Sequence, residues 1–154
     1  MELNTGMNEN ERASVSGALA KVHADTYMLY IKTQNFHYNV TGPEFFSLHL
    51  LFEKHYQEMA EAVDEIAERI RALGFYVEAT AEAFKKLSSI KESEKVLPKF
   101  EMLKELVEGH EIVIREERKL AALAEKHGDQ ATVDLMARRL GFHEKAAWML
   151  RSQF

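Results

Sequence analysis

Between positions 37 and 68 the chain carries two histidines and three carboxylates at helical spacing: His37, then His49-x-x-x-Glu53, then Asp64-x-x-x-Glu68. Imidazole nitrogen and carboxylate oxygen are ligand types that hold iron and other first-row divalent ions. On a helical wheel at ~100° per residue, with His49 at zero, Glu53 falls near ~40°, Asp64 near ~60° and Glu68 near ~100°. The four share one sector beside an apolar stripe of Phe45, Leu48, Phe52, Met59, Val63, Ile66 and Ile70. Rise along the axis divides them into two pairs. Glu53 and Asp64 stand ~16 Å apart at ~1.5 Å per residue, whereas metal–ligand bonds span only ~2.0–2.2 Å. One ion cannot touch both pairs of one helix. Two copies of the helix, antiparallel across a two-fold axis, bring His49 and Glu53 of one chain to Asp64 and Glu68 of the other. His37 can add a further ligand. The plainer reading is a solvated acidic face on an amphipathic helix, which single i, i+4 carboxylate pairs usually form. Spacing leaves both readings open.

The elements that must position these residues are helical. Gly (7) and Pro (2) are scarce among 154 residues, and hydrophobic residues make 46 %. A first helix is expected from Glu9 to His37, with Val15, Leu19, Val22, Leu29 and Phe36 on its apolar face. Asn8-x-x-Glu11 reads as its capping box, and Gly17 weakens its first half. A break at Asn39–Pro43 leads to a second helix from Pro43 to Leu73, with Thr41-x-x-Glu44 as a possible capping box and Gly74 as its stop. A third long helix is expected from Lys95 to His127, with Pro98 in its first turn, and a fourth from Gln130 to Ser152, capped by Asp129. The first and second helices, and the third and fourth, are joined by few residues and must run antiparallel. The middle connection, Phe75 to Glu94, is long, with Ala79–Leu87 a short helix inside it. The expected fold is all-α: a ferritin-like four-helix bundle with a short helix in its long crossover. No histidine has Glu three residues before it, so the Glu-x-x-His di-iron site of other bundles is not expected.

Length fits a single domain over residues 1–154, with residues 1–8 as a short flexible tail. With no Cys there is no disulfide framework, thiolate zinc site or thiol nucleophile. No run approaches the ~18 apolar residues of a membrane span. The first residues, Met1 to Thr5, lack the basic and apolar regions of a secretory signal, so a cytoplasmic location is expected. Net charge −5 favours attraction of cations over broad nucleic-acid binding.

The motifs closely resemble the Dps family, the mini-ferritins of bacteria and archaea. The family pattern His-Trp-Asn-Val-x-Gly is matched by His37-Tyr38-Asn39-Val40-Thr41-Gly42, and His-x-x-x-Asp/Glu by His49 to Glu53. Asp64-Glu65-Ile66-Ala67-Glu68-Arg69-Ile70-Arg71-Ala72-Leu73-Gly74 matches the family's central segment. Leu123-Ala124-Glu125, Asp129, Ala131 to Leu135, and Glu144-Lys145-x-x-Trp148 extend the likeness over nearly the whole chain.

The resemblance implies a hollow dodecamer of 23 symmetry that oxidises Fe(II), commonly with hydrogen peroxide rather than dioxygen, and stores the ferric mineral. It implies a ferroxidase site of His37, His49 and Glu53 from one subunit with Asp64 and Glu68 from its dyad mate. No organic cofactor is implied. Two departures stand out: Glu53 where Asp is commoner, and Tyr38 where Trp is usual. Tyr38 and Trp148 can relay an oxidising equivalent; interface packing is the plainer role of Trp148. Asp129 and Asp134 match acidic positions that line three-fold pores in some relatives, although Asp129 is equally the helix cap. His23, His55, His110, His127 and His143 belong to no motif and are read as structural or surface residues. Some relatives bind DNA through basic tails. Residues 1–17 hold Glu2, Glu9 and Glu11 against Arg12, and the last residues are Arg151-Ser152-Gln153-Phe154, so tail-mediated DNA binding is not expected. A DNA-protecting particle with a secondary metal site is the alternative function.

Overall fold

The computed structural model describes residues 3–154. Five helices follow one another: α1 (Glu9–Asn39), α2 (Phe45–Ala72), α3 (Ala81–Leu87), α4 (Lys99–Lys126) and α5 (Gln130–Arg151). The four long helices make the bundle, and α3 lies in the crossover between α2 and α4. α1 packs along α2, α4 along α5, and α1 joins the two pairs through α4.

Local chemistry sets the helix ends. The Asn8 side chain accepts from the Glu11 N–H at 3.0 Å, and the Glu11 carboxylate accepts from the Asn8 N–H at 2.9 Å. That is the expected capping box. α2 and α4 close on Gly74 and Gly128, whose φ values of +95° and +69° suit a residue without Cβ. The chain then folds back: Phe75 N–H donates to Ile70 O at 3.3 Å, and Asp129 N–H to Ala124 O at 2.9 Å.

Two helix starts differ from expectation. Thr41 and Glu44 make no capping box; Glu44 forms no side-chain cap bond and its carboxylate pairs with Lys99 at 2.5 Å. A charged partner at the start of α4 outcompetes a local amide. α4 begins at Lys99, not Lys95, because Pro98 stands extended (φ −58°, ψ 150°) before the helix. Its ring also disfavours the helical region for Leu97.

Two apolar clusters stack along the bundle. One holds Leu29, Phe36, Phe52, Met59, Leu103 and Leu106; the other holds Val15, Leu19, Ile66, Ile70, Leu120 and Met136. Each such side chain contributes ~1.5–3 kcal/mol on burial. Phe45 departs from the expected stripe and is 43 % exposed, since the first turn of α2 projects past the core. Between the two clusters, α2, α4 and α5 enclose a polar layer of His55, His110, Glu117, Arg139 and His143, all buried. Met7 packs on the second cluster and Leu3 lies beside Gly74, so residues 3–8 follow the body of the bundle. Met1 and Glu2, part of the expected tail, lie outside the described residues. Among those described, no helix is long and apolar enough to cross a membrane.

Candidate metal centre

The five-residue connection between α1 and α2 sets His37, in the last turn of α1, against His49, in the second turn of α2. Their rings stack at 3.7 Å between centroids and 17° between planes. His37 Nδ1 lies 2.8 Å from His49 O, and His49 Nδ1 lies 2.8 Å from His37 O. A carbonyl oxygen only accepts, so both Nδ1 atoms carry a proton. In the neutral rings Nε2 is then the lone-pair nitrogen, in the state a metal requires. Neither Nε2 has a hydrogen-bond partner among the described residues.

Glu53 follows one turn after His49 and is half-buried, with Gln57 Nε2 3.4 Å from its Oε1. Asp64 and Glu68 are exposed near the other end of α2, and neither carboxylate pairs with a neighbour among the described residues. Within one chain the described residues contain no group of three or more His, Cys, Asp or Glu arranged to hold an ion. The structure thus joins His37 to His49, places Glu53 beside them on α2, and leaves Asp64 and Glu68 at the far end.

Aromatic rings surround the pair. Tyr38 is 66 % exposed, its ring 5.3 Å from His37; Phe45 lies 5.0 Å from His49. The sequence reading overlooked Tyr56, whose ring stands edge-on to His37 at 5.1 Å and to Tyr30 at 6.0 Å. Burial foremost, with the Glu53 charge assisting, raises the Tyr56 pKa and keeps its hydroxyl proton. The available signal was spacing: Tyr56 sits three residues after Glu53 and seven after His49. Trp148 is 60 % exposed on α5.

Asp129 caps α5. It accepts from the Thr132 N–H at 3.1 Å and the Thr132 hydroxyl at 2.6 Å, and pairs with Arg69 at 2.7 Å. Burial pushes its pKa up, but these donors outweigh burial and hold the net value low. Of the two aspartates the sequence associates with a pore, Asp129 is therefore occupied and buried. Asp134 is exposed, accepting from Arg138 at 3.1 Å.

The unassigned histidines gave no warning of their grouping. His55, His110 and His143 meet in the polar layer, with His110 Nδ1 and His143 Nδ1 2.8 Å apart. Burial lowers all three pKa values, that of His55 to about 4, and keeps the rings neutral.

Four long helices with a long crossover between the second and third, and histidine and carboxylate side chains at helical spacing on α1 and α2, define a ferritin-like protein. The ferritin-like domain family matches residues 17–154. Within that class the chain belongs to the Dps family. It is 37 % identical to the DNA protection during starvation protein of Porphyromonas gingivalis over 146 residues, covering 95 % of this chain and 92 % of that protein. It is 39 % identical over 152 residues to an uncharacterised low temperature-induced protein of Nostoc sp., covering 97 % of this chain and 85 % of that one. The crystal structure of the Vibrio cholerae Dps protein, described as a member of a broad superfamily of ferritin-like diiron-carboxylate proteins, superposes with a TM-score of 0.93 at 30 % identity, covering 99 % of this chain and 97 % of that one.

Proposed function

We propose that this protein is a ferroxidase and iron store: a mini-ferritin that oxidises Fe(II) at sites shared between two subunits and retains the ferric mineral in a dodecameric cage in the cytoplasm. His37, His49 and Glu53 of one subunit and Asp64 and Glu68 of its dyad mate hold the iron substrate. The observation carrying this reading is the stacked His37–His49 pair, whose reciprocal Nδ1 bonds leave both Nε2 atoms without a hydrogen-bond partner among the described residues. The partnerless Asp64 and Glu68 supply the complementary charge. Family membership supports the same reading.

The chemistry follows from the donor set. Neutral imidazoles bind the ion, and the carboxylates favour the more highly charged ferric product. With hydrogen peroxide as oxidant, two ferrous ions each give up one electron. The O–O bond breaks, two protons are taken up, and two waters form. Removing Fe(II) and peroxide together limits hydroxyl radical production, which is how such a cage protects against oxidative stress.

A subunit-mixing experiment tests the shared site. His49→Ala and Asp64→Ala proteins are each expected to be inactive. Co-assembled, a mixed dimer has one site carrying both substitutions and one carrying neither. Recovery of about a quarter of wild-type oxidation is expected from random pairing. No recovery overturns the shared site.

The second reading is DNA protection, the role in the name of the Porphyromonas gingivalis relative. Arg12 is tied to Leu73 O at 2.7 Å and Arg151 to Glu111 at 2.9 Å, which weighs against these side chains as free phosphate contacts. Tight, salt-sensitive gel retardation at low Mg²⁺ would establish it.

A further inference from the structure

Buried polar atoms without a hydrogen-bond partner among the described residues gather in the polar layer between the two apolar clusters. They include His55 Nδ1, His110 Nε2, Arg139 Nε and both carboxyl oxygens of Glu117. The bonds that are made fix the protons. Arg139 Nη2 lies 3.3 Å from His143 Nε2, and a guanidinium only donates, so this nitrogen accepts. Neutral His143 then carries its proton on Nδ1 and donates it to His110 Nδ1. Glu117 Oε1 lies 3.4 Å from the same His143 Nε2. The Arg139 guanidinium and the Glu117 carboxyl thus converge on one nitrogen.

Arg139 already has another partner. Both of its terminal nitrogens bind the two oxygens of Glu58 on α2, one arm at 3.0 Å. One buried cation therefore stands between two carboxylates: Glu58 at the rim, and Glu117, wholly buried. We propose that Glu117 and Arg139 form a proton-operated clasp. With Glu117 protonated, Arg139 stays on Glu58 and ties α5 to α2; when Glu117 loses its proton, it draws Arg139 away and the α2–α5 seam loosens.

The physical reason is the cost of an unpaired charge in the interior. Burial raises the Glu117 pKa to about 8; Arg139 opposes the rise, and Glu58 and Glu144 add to it. The carboxyl is therefore neutral at neutral pH, and its unsatisfied oxygens are tolerable. Once ionised it needs a cation. The charged groups acting on it are Glu58 from α2, Arg118 from α4, and Arg139 and Glu144 from α5, with none from α1; His143 of α5 lies against it, and His55 and His110 share the same buried layer. Arg118 is engaged by Glu144, and burial keeps the histidines neutral. Arg139 is the cation left. The seam it holds has few other ties, chiefly Arg69 to Asp129 and Arg138 to Glu65. A groove of about 130 Å³ lined by His55, Glu58, Phe142 and Lys145 opens at the seam on the Glu58 side of Arg139. None of this depends on the iron reading.

Infrared spectroscopy on the intact, iron-free assembly tests it. A protonated-carboxyl C=O band that disappears in Glu117→Gln is expected at pH 7 and should titrate away near pH 8. Glu58→Gln frees Arg139 and should lower that midpoint by about one pH unit, tenfold in the acid constant. Amide exchange over residues 139–143, corrected for intrinsic rate, should quicken above the midpoint in wild type and not in Glu117→Gln. Absence of the band at pH 7 overturns the proposal. So does a midpoint indifferent to Glu58→Gln, or exchange indifferent to Glu117. Should Glu58→Gln fail to assemble, the exchange comparison between wild type and Glu117→Gln decides alone.

Discussion

His37 and His49 hold each other: each ring Nδ1 hydrogen-bonds the other's backbone carbonyl at 2.8 Å. The two metal-competent Nε2 atoms therefore rest on a fixed tautomer rather than on chance ring orientation. Each histidine is both a candidate ligand and the support that orients the other.

Replacing either ring should therefore reach beyond one ligand. His37→Ala or His49→Ala is expected to slow initial Fe(II) oxidation at least tenfold and abolish stoichiometric Fe(II) binding. Each removes one hydrogen bond and the stacked face, at a cost of ~1–2 kcal/mol. Iron-oxidation kinetics, Fe(II) titration calorimetry and thermal melting read the effects separately. Unimpaired oxidation would remove the pair from the site.

Asp64 and Glu68 should behave differently, since they are exposed and make no bonds within their own chain among the described residues. Asp64→Asn and Glu68→Gln are expected to change subunit stability by no more than ~0.5 kcal/mol. Oxidation should fall as far as in the histidine variants. A stability loss without an oxidation loss would assign these carboxylates to packing.

Stability should fall on both sides of neutrality. The Glu117 pKa is raised to about 8, so between ~4.5 and 8 the folded chain binds a proton that the unfolded chain has lost. Stability then declines as pH rises through that window, and Glu117→Gln should flatten the slope and match or exceed wild type at pH 8. His110 and His143 titrate well below the usual histidine value, so below ~6.5 the unfolded chain takes up protons the folded one refuses. Stability must also decline in acid. Melting temperatures from pH 5 to 9, wild type against Glu117→Gln, check both arms.

Asp129 and Asp134 can be separated. Asp129→Ala removes the α5 cap and strands Arg69, costing ~1–3 kcal/mol. Asp134→Ala breaks only an exposed pair with Arg138 and should leave stability unchanged. If a carboxylate-lined pore feeds the cage, Asp134→Ala should slow iron uptake into the assembled particle without affecting melting. Unchanged uptake would leave Asp134 a surface residue.

The sequence by itself determined the helices and marked out the candidate ligands. The apolar positions Val15, Leu19, Val22, Leu29 and Phe36 recur with helical period and are all buried. Asn8, Gly74, Gly128 and Asp129 mark helix ends through chemistry confined to a few neighbouring residues. Glu44 and Pro98 were misread because Glu44 answers to Lys99, 55 residues away, and Pro98 to the extended chain before it. The tautomers of His37 and His49 required the hairpin to bring two backbones together. The ring of Tyr56 against His37 was signalled only by its spacing from Glu53 and His49, and the buried grouping of His55, His110, Glu117, Arg139 and His143 was invisible in sequence. These contacts join different helices, and periodicity shows which face of a helix is buried without naming the side chains that face it. Local bonding is written along the chain; the partners of buried polar groups are chosen only when the helices pack.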